Sequence, residues 1–191
     1  MAALAAGALV VFPTETTYGL GADARSAAAV DRLVAVRGRE PGKPILVLVR
    51  DLAMAATVAA ELPPAAARLA AQFWPGPLTL VLPARAGLPA PLTAGGHTIG
   101  VRVPGEPRAL ALVAGLDAPV TAPSANPPGA APARTIAAAR AYFGDAVDVY
   151  LDGGELPGGA STVAAFEGGR LRIVRAGAIP ETALVAALEG S

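Results

Sequence analysis

The chain has 191 residues, 53% of them apolar and 16% charged, which suits one domain with a substantial buried core and excludes an intrinsically disordered polypeptide. Fifteen basic residues balance fifteen acidic ones, so the chain as a whole carries no basic footprint for nucleic acid and leaves only a local basic cleft for an anionic partner. There is no cysteine and a single histidine, His97, which excludes disulfides, thiol nucleophiles, thiolate metal sites and a multi-histidine metal centre. Residues 1–12 are apolar but lack the positive start and small-residue cleavage site of a signal peptide, and Pro13 follows at once. No other apolar run escapes Pro and Gly long enough to span a bilayer, so the expected compartment is the cytoplasm, with no membrane partner.

In chain order, residues 8–12 predict a short buried strand and 13–21 the loop that follows it. Ser26 caps a helix over 27–37, with Val30, Leu33, Val34 and Val36 as its apolar positions. The β-branched run 45–49 predicts a buried strand. Asp51 caps a helix to residue 60, and Pro64 opens another that reaches Trp74. Residues 78–82 and 98–103 predict strands, the second by its alternation. A helix over 107–113, a strand end at 119–121, a Pro-rich loop, a helix over 135–143 and a strand over 147–151 follow. Strands at 161–166 and 171–175 flank Glu167-Gly168-Gly169, a hairpin signal, and Pro180 opens a last helix to Leu188. Strands and helices alternate early and a hairpin comes late. The expected class is therefore α/β (α+β), a twisted mixed parallel and antiparallel sheet with helices packed on it.

Four segments concentrate chemistry-bearing side chains. Residues 13–21 pack three hydroxyl residues, Glu15 and Tyr18 into one loop, which can offer several donors and acceptors to a small polar ligand. Arg37, Arg39 and Lys43 lie within seven residues between a helix and a strand and can face one phosphate chain, as a fork and a point charge. Thr98, Gly100 and Arg102 project to one face of their strand. An Arg inside a strand requires a partner, and a substrate carboxylate and a carboxylate of the protein itself satisfy that requirement equally. Residues 121–126 end a strand in small hydroxyl and amide groups, where ligands of sheet proteins gather. Taken singly, each segment has an ordinary structural reading: a polar turn, a solvated helix end, an internal ion pair, a short strand end. Phe73-Trp74-Pro75-Gly76 reads as a packed aromatic turn. No nucleophile–base pair and no dedicated metal cage is visible, so the inventory suits catalysis by positioning and charge stabilisation.

Taken together and in order, PTETTYGLG (13–21), RGR (37–39), FWPGPLT (73–79), IGVRVP (99–104), PSAN (123–126), STV (161–163) and RAGAI (175–179) resemble the motifs of the YrdC-like family of threonylcarbamoyl-AMP synthases. The match runs from about residue 10 to residue 179. The resemblance implies one YrdC-like domain over 1–191 with a concave, positively charged cleft. It implies a nucleotidyl transfer in which L-threonine, bicarbonate or CO2, and ATP give threonylcarbamoyl-adenylate and pyrophosphate, for modification of tRNA at position 37. By position, Thr16, Arg102, Ala122 and Ser161 would hold L-threonine, with Arg102 on its carboxylate and Ala122 lending backbone. Arg39, Lys43, Thr98, Ser124, Asn126 and Arg175 would hold ATP. Arg37, Arg39 and Arg102 would supply the catalytic charge. No cofactor is implied beyond ATP as substrate, with Mg²⁺ on ATP. The partners implied are the downstream tRNA threonylcarbamoyl-transferase machinery and an RNA contact.

The sequence departs from the family pattern at Arg37, where Lys is usual, at Leu48 for His, at Ala160 for Glu, at Pro127-Pro128 for Arg-Ser and at Pro132 for Ser. These changes leave the ATP cations and the carboxylate Arg in place and bear on the threonine pocket, and hence on amino-acid specificity. Two other functions stay open on the residues: a double-stranded RNA-binding module, and an enzyme that makes a different carbamoyl-adenylate from carbamoyl phosphate.

Overall fold

The structure is a computed structural model and describes residues 2–38 and 42–190. The elements in order are α1 (Ala2–Ala5), β1 (Val10–Pro13), β2 (Tyr18–Gly21), α2 (Ala27–Arg37), β3 (Val47–Leu48), α3 (Leu52–Ala55), α4 (Pro64–Phe73), β4 (Leu78–Pro83) and α5 (Ala90–Thr93). They continue with β5 (Thr98–Arg102), α6 (Pro107–Leu116), β6 (Val120–Thr121), α7 (Ile136–Phe143), a 3-10 turn (Gly144–Ala146), β7 (Val149–Tyr150), β8 (Thr162–Glu167), β9 (Arg170–Arg175) and α8 (Glu181–Glu189).

The expected mixed α/β class holds, but the sheet is divided. A three-stranded sheet runs β2-β1-β7 and a six-stranded one β6-β3-β5-β4-β8-β9, both mixing parallel and antiparallel pairs. Isolated bridges Gly19↔Ser124 and Asp23↔Val120 join them.

Several local signals act as expected. Ser26 accepts the Ala29 N–H and starts α2 at Ala27. Thr135 accepts from Ala138 and starts α7. Gly168 and Gly169 both take positive φ, 55° and 79°, which lets a two-residue turn close β8 onto β9.

Others are corrected. Residues 13–21 are not one loop. Thr14 donates its hydroxyl to the Thr17 carbonyl at 2.7 Å and its N–H to the same oxygen at 3.2 Å. That tight turn returns the chain as β2, antiparallel to β1. A Cβ on Gly21 would lie 2.9 Å from the Phe12 ring, so glycine lets the ring lie across β2. The Asp51-capped helix stops at Ala55 rather than at residue 60, and the strands expected over 45–49 and 147–151 shrink to two residues each. After Ala55 the chain is drawn into an edge pairing instead, with Ala60 N–H on the Pro83 carbonyl and an Ala59↔Ala84 bridge.

Alternation along the six-stranded sheet separates its faces. Val47, Leu78, Leu80, Leu82, Ile99, Val101 and Ala164 are fully buried in one cluster with Leu69 of α4, Val113 of α6 and Leu184 of α8. The intervening residues face away from these helices. A second cluster holds Leu9, Val11, Tyr18 and Leu20 against Leu33 of α2 and Phe143 of α7. The space between the two sheets is the cavity described next.

Candidate functional site

The cavity has a volume of about 550 Å³. Its floor is the free face of the six-stranded sheet: Leu48 of β3, Thr98, Gly100 and Arg102 of β5, Thr79 and Val81 of β4, Val163 of β8, and Arg172 and Arg175 of β9. The register supports this, with Leu48 opposite Arg102, Val81 opposite Gly100 and Val163 opposite Arg175. Thr14, Thr16 and Thr17, the end of α2 and the 122–124 segment form the opposite wall. Five cations line the cavity, Arg37, Lys43, Arg102, Arg172 and Arg175, and no Asp or Glu is among the described lining residues. Arg102 and Arg172 are ion-paired with Glu15 and Glu167 behind the lining, so the charged side chains among the described residues that reach the hollow itself are cationic, which favours an anionic ligand.

Arg102 is the buried member, 4% exposed. Its Nε donates to the Gly76 carbonyl at 2.9 Å and its Nη2 to Glu15 Oε2 at 2.5 Å. The protein carboxylate left open by the sequence is therefore present, and it is Glu15. The aromatic turn has a task the sequence did not disclose. Trp74 Nε1 donates to the Leu78 carbonyl at 2.7 Å, and Gly76 N–H to the Val103 carbonyl at 2.9 Å. The turn so fixed aims the Gly76 carbonyl at Arg102.

Arg175 reaches the cavity through an irregularity. Val163 pairs with Arg175 and Ala164 with Ile173, so Val174 is an extra residue in β9. Without that bulge Arg175 would share the face of Leu171 and Ile173; with it, Arg175 joins Arg172 on the cavity side. Its guanidinium donates to the Ser161 carbonyl from Nε (3.1 Å) and Nη2 (2.9 Å), and from Nη2 to Ser161 Oγ at 2.9 Å. Burial, and then the neighbouring charge of Arg102, push Arg175 below the usual guanidinium range, and it stays cationic. Ser161 Oγ also lies 3.2 Å from Thr79 Oγ1.

The STV and RAGAI segments are welded. Thr162 Oγ1 donates to the Ile179 carbonyl at 2.7 Å and accepts the Ile179 N–H at 2.9 Å. A Cβ on Gly177 would lie 2.4 Å from the Ser161 carbonyl carbon, so only glycine allows that approach.

On the opposite wall, Arg37 at the end of α2 donates Nε to the Ser124 carbonyl at 3.0 Å. Leu20 N–H and Ala125 N–H close the ladder onto the Pro123 and Tyr18 carbonyls. Thr16 is buried, with its hydroxyl 3.2 Å from Thr14 Oγ1 and its carbonyl accepting the Gly158 N–H. Tyr18 OH accepts the Gly153 N–H and donates to the Gly154 carbonyl, both at 2.8 Å. Burial raises this phenol above its usual value, which keeps it a neutral brace for the 152–160 segment.

Of the residues singled out by sequence, Thr16, Arg37, Lys43, Thr98, Arg102, Ala122, Ser124, Ser161 and Arg175 line this one cavity. Arg39 lies outside the described residues. Asn126 is not among the residues that line the cavity: its amide donates to the Pro127 and Ala130 carbonyls at 2.9 and 2.8 Å, and its buried Oδ1 has no hydrogen-bond partner among the described residues. Its amide nitrogen thus braces the loop that follows PSAN. Arg172 was missed because its inward direction depends on register, and Glu15 because its partner is 87 residues away.

A family model for Sua5/YciO/YrdC proteins, described as "Telomere recombination", matches residues 2–177. The chain is 38% identical over 152 residues to the threonylcarbamoyl-AMP synthase of Halorhodospira halophila, covering 80% of each. It is 41% identical over 150 residues to that of Pyrococcus abyssi, covering 78% of this chain but only 44% of the relative. Among solved structures, P. abyssi Sua5 complexed with L-threonine superposes with a TM-score of 0.92 at 36% identity, covering 98% of this chain and 55% of that one. E. coli YciO superposes with a TM-score of 0.84 at 27% identity, covering 94% and 87%. The chain thus spans about half the length of the P. abyssi relatives and four-fifths or more of the shorter ones. By motif order, family match and fold, the protein belongs to the Sua5/YciO/YrdC family.

Proposed function

We propose that this protein is a threonylcarbamoyl-AMP synthase, which condenses L-threonine, bicarbonate or CO2, and ATP into threonylcarbamoyl-adenylate and pyrophosphate. The observation that carries this reading is a cavity wall that, among the described residues, is lined by five cations and no carboxylate, with one buried Arg among small hydroxyl residues. A triphosphate needs the former and an amino-acid carboxylate the latter. The printed names of the relatives and the threonine complex of P. abyssi Sua5 support it.

In this reading Arg102 takes the threonine carboxylate, with Thr16, Ser161 and the Ala122 backbone around the amino acid. Arg37, Lys43, Arg175, Thr98 and Ser124 surround the nucleotide, and Arg39 joins them. N-carboxylated threonine attacks the α-phosphorus of ATP through its carbamate oxygen, and the P–O bond to pyrophosphate breaks. The chain contributes alignment of the two anions and cations facing the charge that develops on the phosphoryl oxygens and on the leaving group. Among the described residues no group of three or more His, Asp or Glu side chains could hold a metal ion. Mg²⁺ is therefore proposed to arrive with the ATP phosphates, and no step is assigned to it. No helix among the described residues is long and apolar enough to cross a membrane, and a cytoplasmic location with delivery of the adenylate to a tRNA-modifying transferase completes the proposal.

The test is pyrophosphate release from the purified protein with ATP and bicarbonate, with and without L-threonine. Release that requires L-threonine is expected. ATP binding without threonine-dependent release, or release supported by carbamoyl phosphate instead, would overturn the assignment, as would salt-sensitive RNA binding with no ATP turnover.

A further inference from the structure

The first loop sets one acid against the cavity's buried cation, and the reaction outlined above gives that acid no task. Glu15 Oε2 lies 2.5 Å from Arg102 Nη2, and Glu15 Oε1 accepts the Gly105 N–H. Arg102 Nε is already committed to the Gly76 carbonyl at 2.9 Å. Two of the three guanidinium nitrogens are thus held by protein, and Nη1 is the one left for a ligand among the described contacts. We infer that Glu15 is a positioning residue, which locks the Arg102 guanidinium so that its Nη1 edge faces the substrate carboxylate. The inference rests on the threonine reading given above.

Charge alone argues the other way. A carboxylate this close to Arg102 repels a second carboxylate, so removing it would tighten acid binding if electrostatics dominated. Geometry opposes that. An unrestrained Arg carries large rotamer entropy, lost each time a ligand is bound, and a guanidinium gripped at two nitrogens has lost it in advance. The grip uses both carboxylate oxygens, one for Arg102 and one for Gly105 N–H, and a carboxylate is the side chain with two acceptors at that spacing. Gly105 makes room for it: a Cβ there would lie 2.9 Å from Glu15 Oε1. Glu15 is mostly shielded, at 22% side-chain exposure against 5% for Arg102, so water does not readily substitute for it.

Two variants separate geometry from charge. Glu15→Gln removes the charge and one acceptor, so either Arg102 or Gly105 loses its partner. Gly105→Ala keeps the charge and displaces the carboxylate. The inference expects both to raise the L-threonine KM about tenfold in pyrophosphate release while leaving the ATP KM within about twofold, one lost neutral-to-charged hydrogen bond being of that size. A fall in threonine KM in Glu15→Gln, or equal changes in the two KM values, would overturn it. A readout free of turnover is the Nε–H resonance of Arg102 in ¹H–¹⁵N spectra, assigned by its loss in Arg102→Lys. It should be sharp and slow to exchange in the wild-type protein and broadened in both variants. An unchanged resonance in both would overturn positioning by Glu15. Absence of threonine-dependent release by the wild-type protein would instead overturn the reading on which the inference rests, while the resonance test still decides the grip itself.

Discussion

The two faces of the six-stranded sheet are built from alternate residues of the same strands and have opposite fates. Leu80 and Val101 point to the helices and are fully buried. Thr79 and Arg102, one residue along, point to the cavity and are nearly as buried, at 1% and 4% exposure. Burial therefore does not distinguish core from site in this protein; polarity and hydrogen bonding do. On the helix face burial is repaid by apolar packing, which a truncation weakens everywhere at once. On the cavity face each polar group is held by named partners, so a truncation there acts on one ligand group or one neighbour. The lesson is that the helix face sets whether the protein folds, and the cavity face sets what it holds.

The sharpest way to break that division is Leu80→Ala. It should cost about 3 kcal/mol of unfolding free energy, by lost transfer and a residual cavity, seen in urea or thermal unfolding, with the threonine KM of the folded fraction unchanged. A change in threonine KM equal to that of a cavity-face variant would dissolve the distinction. Arg102→Ala is its counterpart. The threonine KM should rise by about a hundredfold, the cost of removing one member of a buried charged contact, while the ATP KM moves far less. Equal losses would remove Arg102 from the carboxylate.

Gly177→Ala probes the seam between the faces. Its new Cβ would fall 2.4 Å from Ser161, and overpacking there should cost about 2 kcal/mol and weaken ATP binding through Arg175. Ser161→Ala is gentler. Arg175 keeps the Ser161 carbonyl and loses only the Oγ contact, while the buried Thr79 hydroxyl loses its Ser161 partner, so about 1 kcal/mol is expected, read as a several-fold change in substrate KM with a fall in thermal midpoint smaller than that of Gly177→Ala. The smallest effect belongs to a site away from both faces. Arg32 beside Asp148, with the Leu9 N–H as a second donor, holds the Asp148 carboxyl below its ordinary 3.8. A depressed carboxyl contributes fully above that unfolded value, and the contribution is lost as pH falls through the lower folded value. Asp148→Asn should thus flatten only the acid limb of stability against pH, modestly because the ion pair is exposed, and should leave both KM values alone.

Much of the fold was legible because the signals were local. The Ser26 cap, the Gly168-Gly169 turn, the Pro at the start of α4 and the alternation through 98–102 each act within a few residues of chain. So were most of the cavity residues, since the motifs carrying them sit at strand ends and helix ends where ligands are met. What failed depended on distance along the chain. Tyr18–Gly21 became a strand because Thr14 closes a turn and Phe12 lies over the glycines. β3 and β7 keep only two paired residues each, 47–48 on the end of β5 and 149–150 on the start of β1, a limit set by strands remote in sequence.

The amino-acid order by itself determined the class of the fold, the family and the set of cations from which a polyanion site is drawn, because propensity, capping and motif order are written in neighbouring residues. Tertiary structure alone decided that Glu15 meets Arg102, that the Trp74–Gly76 turn anchors it, that a bulge at Val174 swings Arg175 inward with Arg172, and that Asn126 stays out of the cavity. Each of these is a contact or register between segments remote in sequence, and no period or propensity within a segment encodes which partner it will find.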